Sequence, residues 1–159
     1  MRGDPEVIEM LNAHLTFELT ATNQYFLNAK MLDNWGLPGL ASLFRERSFD
    51  EMRDVEELID RILFLDGHPN LQRLNTVEVG ETPLEMMELG LALETTAVSS
   101  LNEAIELAMA KHDHGTRELL AEMLTEEEEH LDYFEAQLDL VERVGIKNYL
   151  VRYATPEST

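Results

Sequence analysis

Along this chain, apolar residues recur at intervals of three and four, the spacing that gathers them on one face of an α-helix. Strand-forming residues are scattered rather than alternating. The pattern predicts four long helices at about 5–34, 39–66, 83–112 and 115–144, then a short fifth at about 146–153. Asp4-Pro5 opens the first, an N-cap followed by proline at the first helical position. Trp35-Gly36-Leu37-Pro38-Gly39 turns the chain into the second helix, and Gly67-His68-Pro69-Asn70 stops that helix. Thr82 and Glu85 have capping-box spacing at the start of the third. Asp113-His114-Gly115 separates the third from the fourth, Gly145 ends the fourth, and Thr155 to Thr159 read as a frayed tail. All 159 residues are expected to form one domain.

Loop lengths select among helical topologies. Short breaks after the first and third helices make two antiparallel hairpins, while the linker of about 15 residues between the second and third is long enough to cross the bundle. Two hairpins joined by one long crossover is the ferritin-like connection of a four-helix bundle.

Each apolar stripe is interrupted near its middle. The first helix reads Ile8, Leu11, Leu15, Glu18, Thr22, Tyr25, Ala29, and the second Leu40, Phe44, Arg47, Glu51, Val55 (with Asp54 beside it), Leu58, Ile62, Leu65. The third reads Leu84, Met87, Leu91, Glu94, Val98, Leu101, Ile105, and the fourth Leu120, Met123, Glu127, His130, Phe134, Leu138, Val141. At about 1.5 Å per residue, the interruptions all fall about 21–28 Å from their turns, which brings them into one layer. A buried ionised carboxylate without a partner costs several kcal/mol, so four of them need a common explanation. Protonated or salt-bridged core groups are one possibility, weakened by Arg47 being the sole base on these stripes. Bound metal is the other, and the Glu127-x-x-His130 step puts a carboxylate and an imidazole on one face, able to grip the same ion. Oxygen-rich ligands with one imidazole and no thiolate suit iron or manganese, with zinc as an occupant.

Composition narrows the picture further. The formal net charge is −20, from 32 acids against 12 bases, so the surface repels nucleic acid and anionic lipid and attracts cations. Acidity alone also serves solubility. The chain has no cysteine, which removes disulfides, thiolate metal sites and thiol nucleophiles. No apolar run approaches the roughly 20 residues that span a bilayer. The start, MRGDPEVIEML, lacks the layout of a signal peptide, so a cytoplasmic protein is expected.

Several segments together resemble the bacterioferritins: the MRGD start, NQYFLNAKMLDNWGL (Asn23 to Leu37), DEM (Asp50 to Met52), RILFLDGHPNLQ (Arg61 to Gln72), LALE (Leu91 to Glu94) and EEEHLDYFE (Glu127 to Glu135). They agree in order and spacing over nearly the whole chain. The resemblance implies a shell of twenty-four subunits, built from two-fold dimers, that stores ferric mineral. It implies a di-iron ferroxidase centre in each bundle, oxidising Fe(II) with oxygen or peroxide. By position, Glu51 and Glu127 would bridge the metals, Glu18 and Glu94 would be terminal ligands, His130 would be one imidazole ligand, and Tyr25 would lie close by. The family's second histidine would stand at position 54, where this chain has Asp54, which would make five carboxylates and one imidazole. Asp is shorter than His, so a water could fill the gap. His14, one turn before Glu18, is the nearest other histidine that could substitute for the missing one, although an exposed or packed role is the commoner one for such a residue.

Met52 points one residue round from Glu51, on a second apolar stripe with Phe49, Ile59 and Leu63, facing the same way as Leu19, Asn23 and Phe26. Read from residues alone, this is a dimer interface with methionine as filler. The resemblance implies haem b between two subunits, ligated by Met52 from each, with a ferredoxin-type reductant supplying electrons to the mineral. Glu46 and Asp50 are either an inner-surface iron relay or a solvated acidic face, and His68 and His112 fall in loops with no evident role. Two rivals remain. One is a haem-bearing structural shell subunit with a degenerate di-iron site, working beside a more active partner chain. The other is a di-iron oxygenase or peroxidase that does not store iron.

Overall fold

The computed structural model describes residues 1–155, so the tail expected at Thr155 to Thr159 lies, after Thr155, outside the described residues. Five helices follow one another, α1 (Pro5–Asn34), α2 (Pro38–Phe64), α3 (Pro83–Ala110), α4 (His114–Val144) and α5 (Ile146–Val151), with no strand among the described residues. α1 packs chiefly on α2 and α3 on α4, giving two hairpins; α1 meets α3, and α5 folds back against α4. Residues 65–82 cross between the hairpins. The fold is the all-α, ferritin-like four-helix bundle with a short C-terminal helix.

Local chemistry sets the ends. Asp4 caps α1 by accepting from the Glu6 amide at 2.8 Å, and Thr82 caps α3 by accepting from the Glu85 amide at 3.1 Å. Asp113 caps α4, and Arg61 donates to Asp113 Oδ1 at 2.8 Å, tying the end of α2 to the start of α4. α2 and α3 end two residues before the expected 66 and 112, because each closes with a left-handed residue that is not glycine: Asp66 at φ 58° and His112 at φ 57°. The amides that follow, Gly67 and Asp113, donate back to the Ile62 and Ala108 carbonyls, a Schellman closure. Gly67 is still required, since a Cβ there would sit 2.8 Å from Ile8 Cγ2 and 2.9 Å from Ile62 Cγ2.

The core comes in two pieces. One, at the end near α5, gathers Tyr25, Leu32, Leu40, Phe44, Met87, Phe134 and Tyr149. The other, at the opposite end, gathers Leu11, Leu15, Val55, Leu58, Ile62, Leu101, Leu120 and Met123. Between them lies a buried polar layer of Glu18, Glu51, Asp54, Glu94, Glu127 and His130. α1 is buried over a wider arc than its apolar stripe, because the crossover lies along it. Asn12 donates to the His68 carbonyl and accepts from the Asn70 amide, Thr16 accepts from Arg73, Thr20 accepts from the Asn75 amide, Gln24 accepts from the Glu78 amide, and Asn28 donates to the Val79 carbonyl.

Candidate metal centre

The buried layer resolves into two overlapping groups. Glu51, Glu94, Glu127 and His130 form one, and Glu18, Glu51, Asp54 and Glu127 the other; within each, one potential ligand atom per residue lies within 4.8 Å of all the rest. Ligands bound to one ion at about 2.0–2.2 Å lie no more than about 4.4 Å apart across it, so each group is near the size one ion requires. Glu51 from α2 and Glu127 from α4 belong to both groups. Glu18 and Asp54 stand on one side of that pair, Glu94 and His130 on the other. The helical steps explain the convergence: Glu51 and Asp54, like Glu127 and His130, are three residues apart on one face.

The donor atoms lack partners. Both carboxylate oxygens of Glu18, Glu51 and Glu127, and Nδ1 of His130, are buried without a hydrogen bond. An unsatisfied buried polar group costs free energy and a buried charge costs more, so a partner for these atoms would stabilise the layer. A cation satisfies all of these atoms together, and carboxylates with one imidazole and no thiolate suit a hard or borderline ion.

Electrostatics points the same way. Burial, then the charge of the neighbouring Glu18, push Glu51 well above the usual carboxylate range. Burial and the Glu18 charge also raise Glu127. Burial raises Glu94, partly offset by the adjacent Glu127 carboxyl and by the Tyr25 hydroxyl. Asp54 is pushed up to about 8 by burial and by the charges of Glu18, Glu126 and Glu57. Glu18 alone of the five goes down: burial acts to raise it, but the adjacent Glu51 carboxyl and the nearby His14 outweigh that. Burial, then the Arg47 charge, lower His130 to about 4, so its imidazole is neutral at physiological pH, the form that ligates metals.

Partners outside the layer orient its members. Tyr25, fully buried, donates its hydroxyl to Glu94 Oε1 at 2.5 Å. The Nδ1 of His130 faces Glu51, Glu94 and Glu127 at 3.4, 3.8 and 3.6 Å, while Nε2 lies 3.4 Å from Asp50 Oδ2. That assigns the proton to Nε2 and leaves the Nδ1 lone pair aimed inward, the usual second partner of a ligating imidazole. Asp50 in turn pairs with Arg47 and Arg53.

All six expected ligands, Glu18, Glu51, Asp54, Glu94, Glu127 and His130, therefore meet in one place. Of the Glu126–Glu129 run only Glu127 turns inward. His14 is buried, with Nε2 at 2.8 Å from Glu18 Oε1, but joins neither group. Met52 is 44% exposed on the outside of α2, beside exposed Phe49, Leu63 and Phe26, away from the carboxylate layer. Glu46, His68 and His112 are exposed. The sequence leaves Asp50 as a relay or a solvated face, whereas its carboxylate lies 3.4 Å from His130 Nε2. The signal was available: Asp50 and Glu51 are adjacent, so one faces the core and the other its rim.

A family profile described as a ferritin-like domain matches residues 8–144. The chain is 49% identical to a Bacterioferritin of Mycolicibacterium paratuberculosis over 149 residues, 94% of each chain. The chain belongs to the bacterioferritin family. Among other members, it is 51% identical to the Bacterioferritin of Streptomyces coelicolor over 150 residues, covering 94% of this chain and 90% of that one. It is 40% identical to that of Rhodobacter capsulatus over 156 residues, 98% and 97% of the two. The match spans all four long helices, and hence every element that contributes to the centre.

Proposed function

We propose that this chain stores iron and makes it safe, oxidising Fe(II) at a di-iron ferroxidase centre within each bundle and holding the ferric product in a shell of twenty-four copies. The two overlapping ligand groups sharing Glu51 and Glu127 carry this reading. Two Fe(II) ions held side by side deliver two electrons together, which with two protons reduce dioxygen to hydrogen peroxide, or peroxide to two waters. Glu51 and Glu127 would be shared by the two ions, Glu18 and Asp54 would hold one of them, and Glu94 and His130 the other. Asp54 stands where the family resemblance implies a histidine; it adds an anion, which favours Fe(III) over Fe(II) and lowers the potential of that position. Tyr25 holds Glu94 in place. The net charge of −20 draws Fe(II) towards the protein.

The exposed apolar stripe around Met52 supports a two-fold dimer with haem b between the copies, one Met52 from each, passing electrons from a ferredoxin-type reductant to the mineral. Thioether ligation raises the haem potential, which suits inward electron flow. No described helix is long and apolar enough to cross a membrane, and the proposed compartment is the cytoplasm.

Stopped-flow absorbance tests the reading. Metal-free protein receives about two Fe(II) per subunit and then oxygen, for wild type, Asp54→His and Glu94→Ala. Fast oxidation in wild type, lost in Glu94→Ala, is expected. Wild type no faster than Glu94→Ala, with the rate restored by Asp54→His, would instead make this chain a structural haem-bearing subunit that depends on a more active partner. Met52→Leu should abolish the haem absorption bands on reconstitution and leave the first oxidation phase unchanged.

A further inference from the structure

The two outer carboxylates of the centre are not held in the same way. Glu94 receives the hydroxyl of Tyr25, which fixes its rotamer. Glu18 is fully buried, and neither of its oxygens has a hydrogen bond of good geometry. Its single ion-pair contact among the described residues is Nε2 of His14, one turn earlier on α1, at 2.8 Å. That nitrogen has no other partner. The imidazole is 5% exposed and stacks on Phe17, ring centroids 5.8 Å apart and planes 9° apart, so its plane is set. Beyond it, on the α1–α3 face, lies a cavity of about 270 Å³ lined by Asn75, Thr96 and Ser100 along with His14. The ring has room to turn on that side, and the Phe17 stack and the Glu18 contact are what keep it inward.

We propose that His14 is a positioning residue for Glu18, and through it sets the metal position that Glu18 and Asp54 share. His14 does not join either ligand group, so it acts through Glu18 rather than on the ion. Asp54 makes such a partner more necessary. A short carboxylate reaches an ion with less reach to spare than an imidazole, so the opposing Glu18 must be held where the two can share it. α1 thus supplies an outer partner to each half of the centre: Tyr25 for Glu94 and His14 for Glu18. This inference rests on the metal-centre reading above.

The test is Co(II) binding to the chelator-stripped, assembled protein, followed by calorimetry and by the visible ligand-field bands of Co(II), for wild type, His14→Leu and His14→Gln. Leucine is close to histidine in volume and the neighbouring cavity accepts its shape, so the fold should persist; a thermal melt of the metal-free variants checks this. Wild type should take up two Co(II) per subunit. In His14→Leu one of the two should bind about 10–100-fold more weakly with the other unchanged, the usual size of losing a ligand's outer partner. Glutamine keeps an N–H donor near the Nε2 position, so His14→Gln should restore most of the loss and the wild-type band positions. Equal affinity for both ions in His14→Leu overturns the inference, as does equal weakening of both. If glutamine fails to rescue and the bands of the affected site shift, His14 is itself a ligand and the positioning role is wrong. Failure of wild type to bind two Co(II) would instead remove the metal-centre reading.

Discussion

Replacing Asp54 with asparagine should make the metal-free protein more stable at neutral pH while weakening its hold on metal. Asp54 is 5% exposed, and its folded-state pKa is raised from 3.8 to about 8. The folded protein therefore binds a proton that the unfolded chain has released at any pH between those values. Stability from the neutral carboxyl is fully present below 3.8 and is lost as the pH rises to about 8, where the loss stops. Each pH unit in that window is worth about 1.4 kcal/mol. At pH 7 the aspartate thus costs the metal-free fold up to about 4 kcal/mol, and at pH 5 less than half of that. Asparagine has nearly the same shape and no charge to bury, so it escapes the penalty. For a chain of this size 1 kcal/mol moves Tm by about 2–4 °C, so the chelator-stripped variant should melt up to about 8–16 °C above wild type at pH 7. The gap should shrink by more than half at pH 5 and stop growing above pH 8. With Zn(II) or Co(II) present the order should reverse, because the ion binds the deprotonated ligand and releases its proton. Scanning fluorimetry across pH 5–8.5, with and without metal, decides it. A stability gap that does not change with pH, or an asparagine variant less stable than wild type at pH 7, would refute the account of Asp54 as a buried carboxyl that holds its proton until a cation displaces it.

Tyr25→Phe removes the hydroxyl that donates to Glu94 while keeping the ring that packs on Phe134 and Phe44; metal affinity at the Glu94–His130 position should fall about 10-fold by calorimetry, with Tm nearly unchanged. Gly90→Ala should lower Tm by about 2–4 °C, although alanine is the better helix former by about 1 kcal/mol. The added Cβ would lie 2.7 Å from Cζ of Phe134, and that ring is hemmed in by Tyr25 and Phe44. A Tm at or above wild type would mean that Phe134 moves aside freely.

The metal layer was legible in the sequence because charge on an apolar stripe is conspicuous and helical rise gives its depth. Glu18, Glu51, Glu94, Glu127 and His130 needed only that arithmetic, whereas Asp54 was reached only through the resemblance to the bacterioferritins. Periodicity was blurred where a helix is covered on more than one side. On α1 Val7 is fully buried and Ile8 only partly, the reverse of the stripe as read. Thr16, Thr20, Gln24 and Asn28 are buried there as well, although nothing apolar marks them. Partner choice was also hidden: the sequence sets His14 and Glu18 four residues apart, but not whether they turn inward together or out to water. The sequence places helix ends at glycine, whereas the left-handed residue that closes α2 is Asp66, one of the few non-glycine types that visits that conformation.

The contacts between the crossover and α1 have a consequence for how this protein can change. Asn12, Thr16, Thr20, Gln24 and Asn28 are spaced four apart, like pegs on a rack, and four of the five engage the main chain of residues 68–79 rather than its side chains. What the crossover must preserve is thus its count of residues, while the identities of those residues matter little to the fit. Leu71, Leu74 and most of their neighbours are exposed and can be exchanged without loosening a peg. Adding or deleting one residue between Asn70 and Asn75 would put the Asn75 and Glu78 amides and the Val79 carbonyl out of step with their pegs. The crossover works as a measured strap: its length is written in α1, and its outward face is left free to diverge.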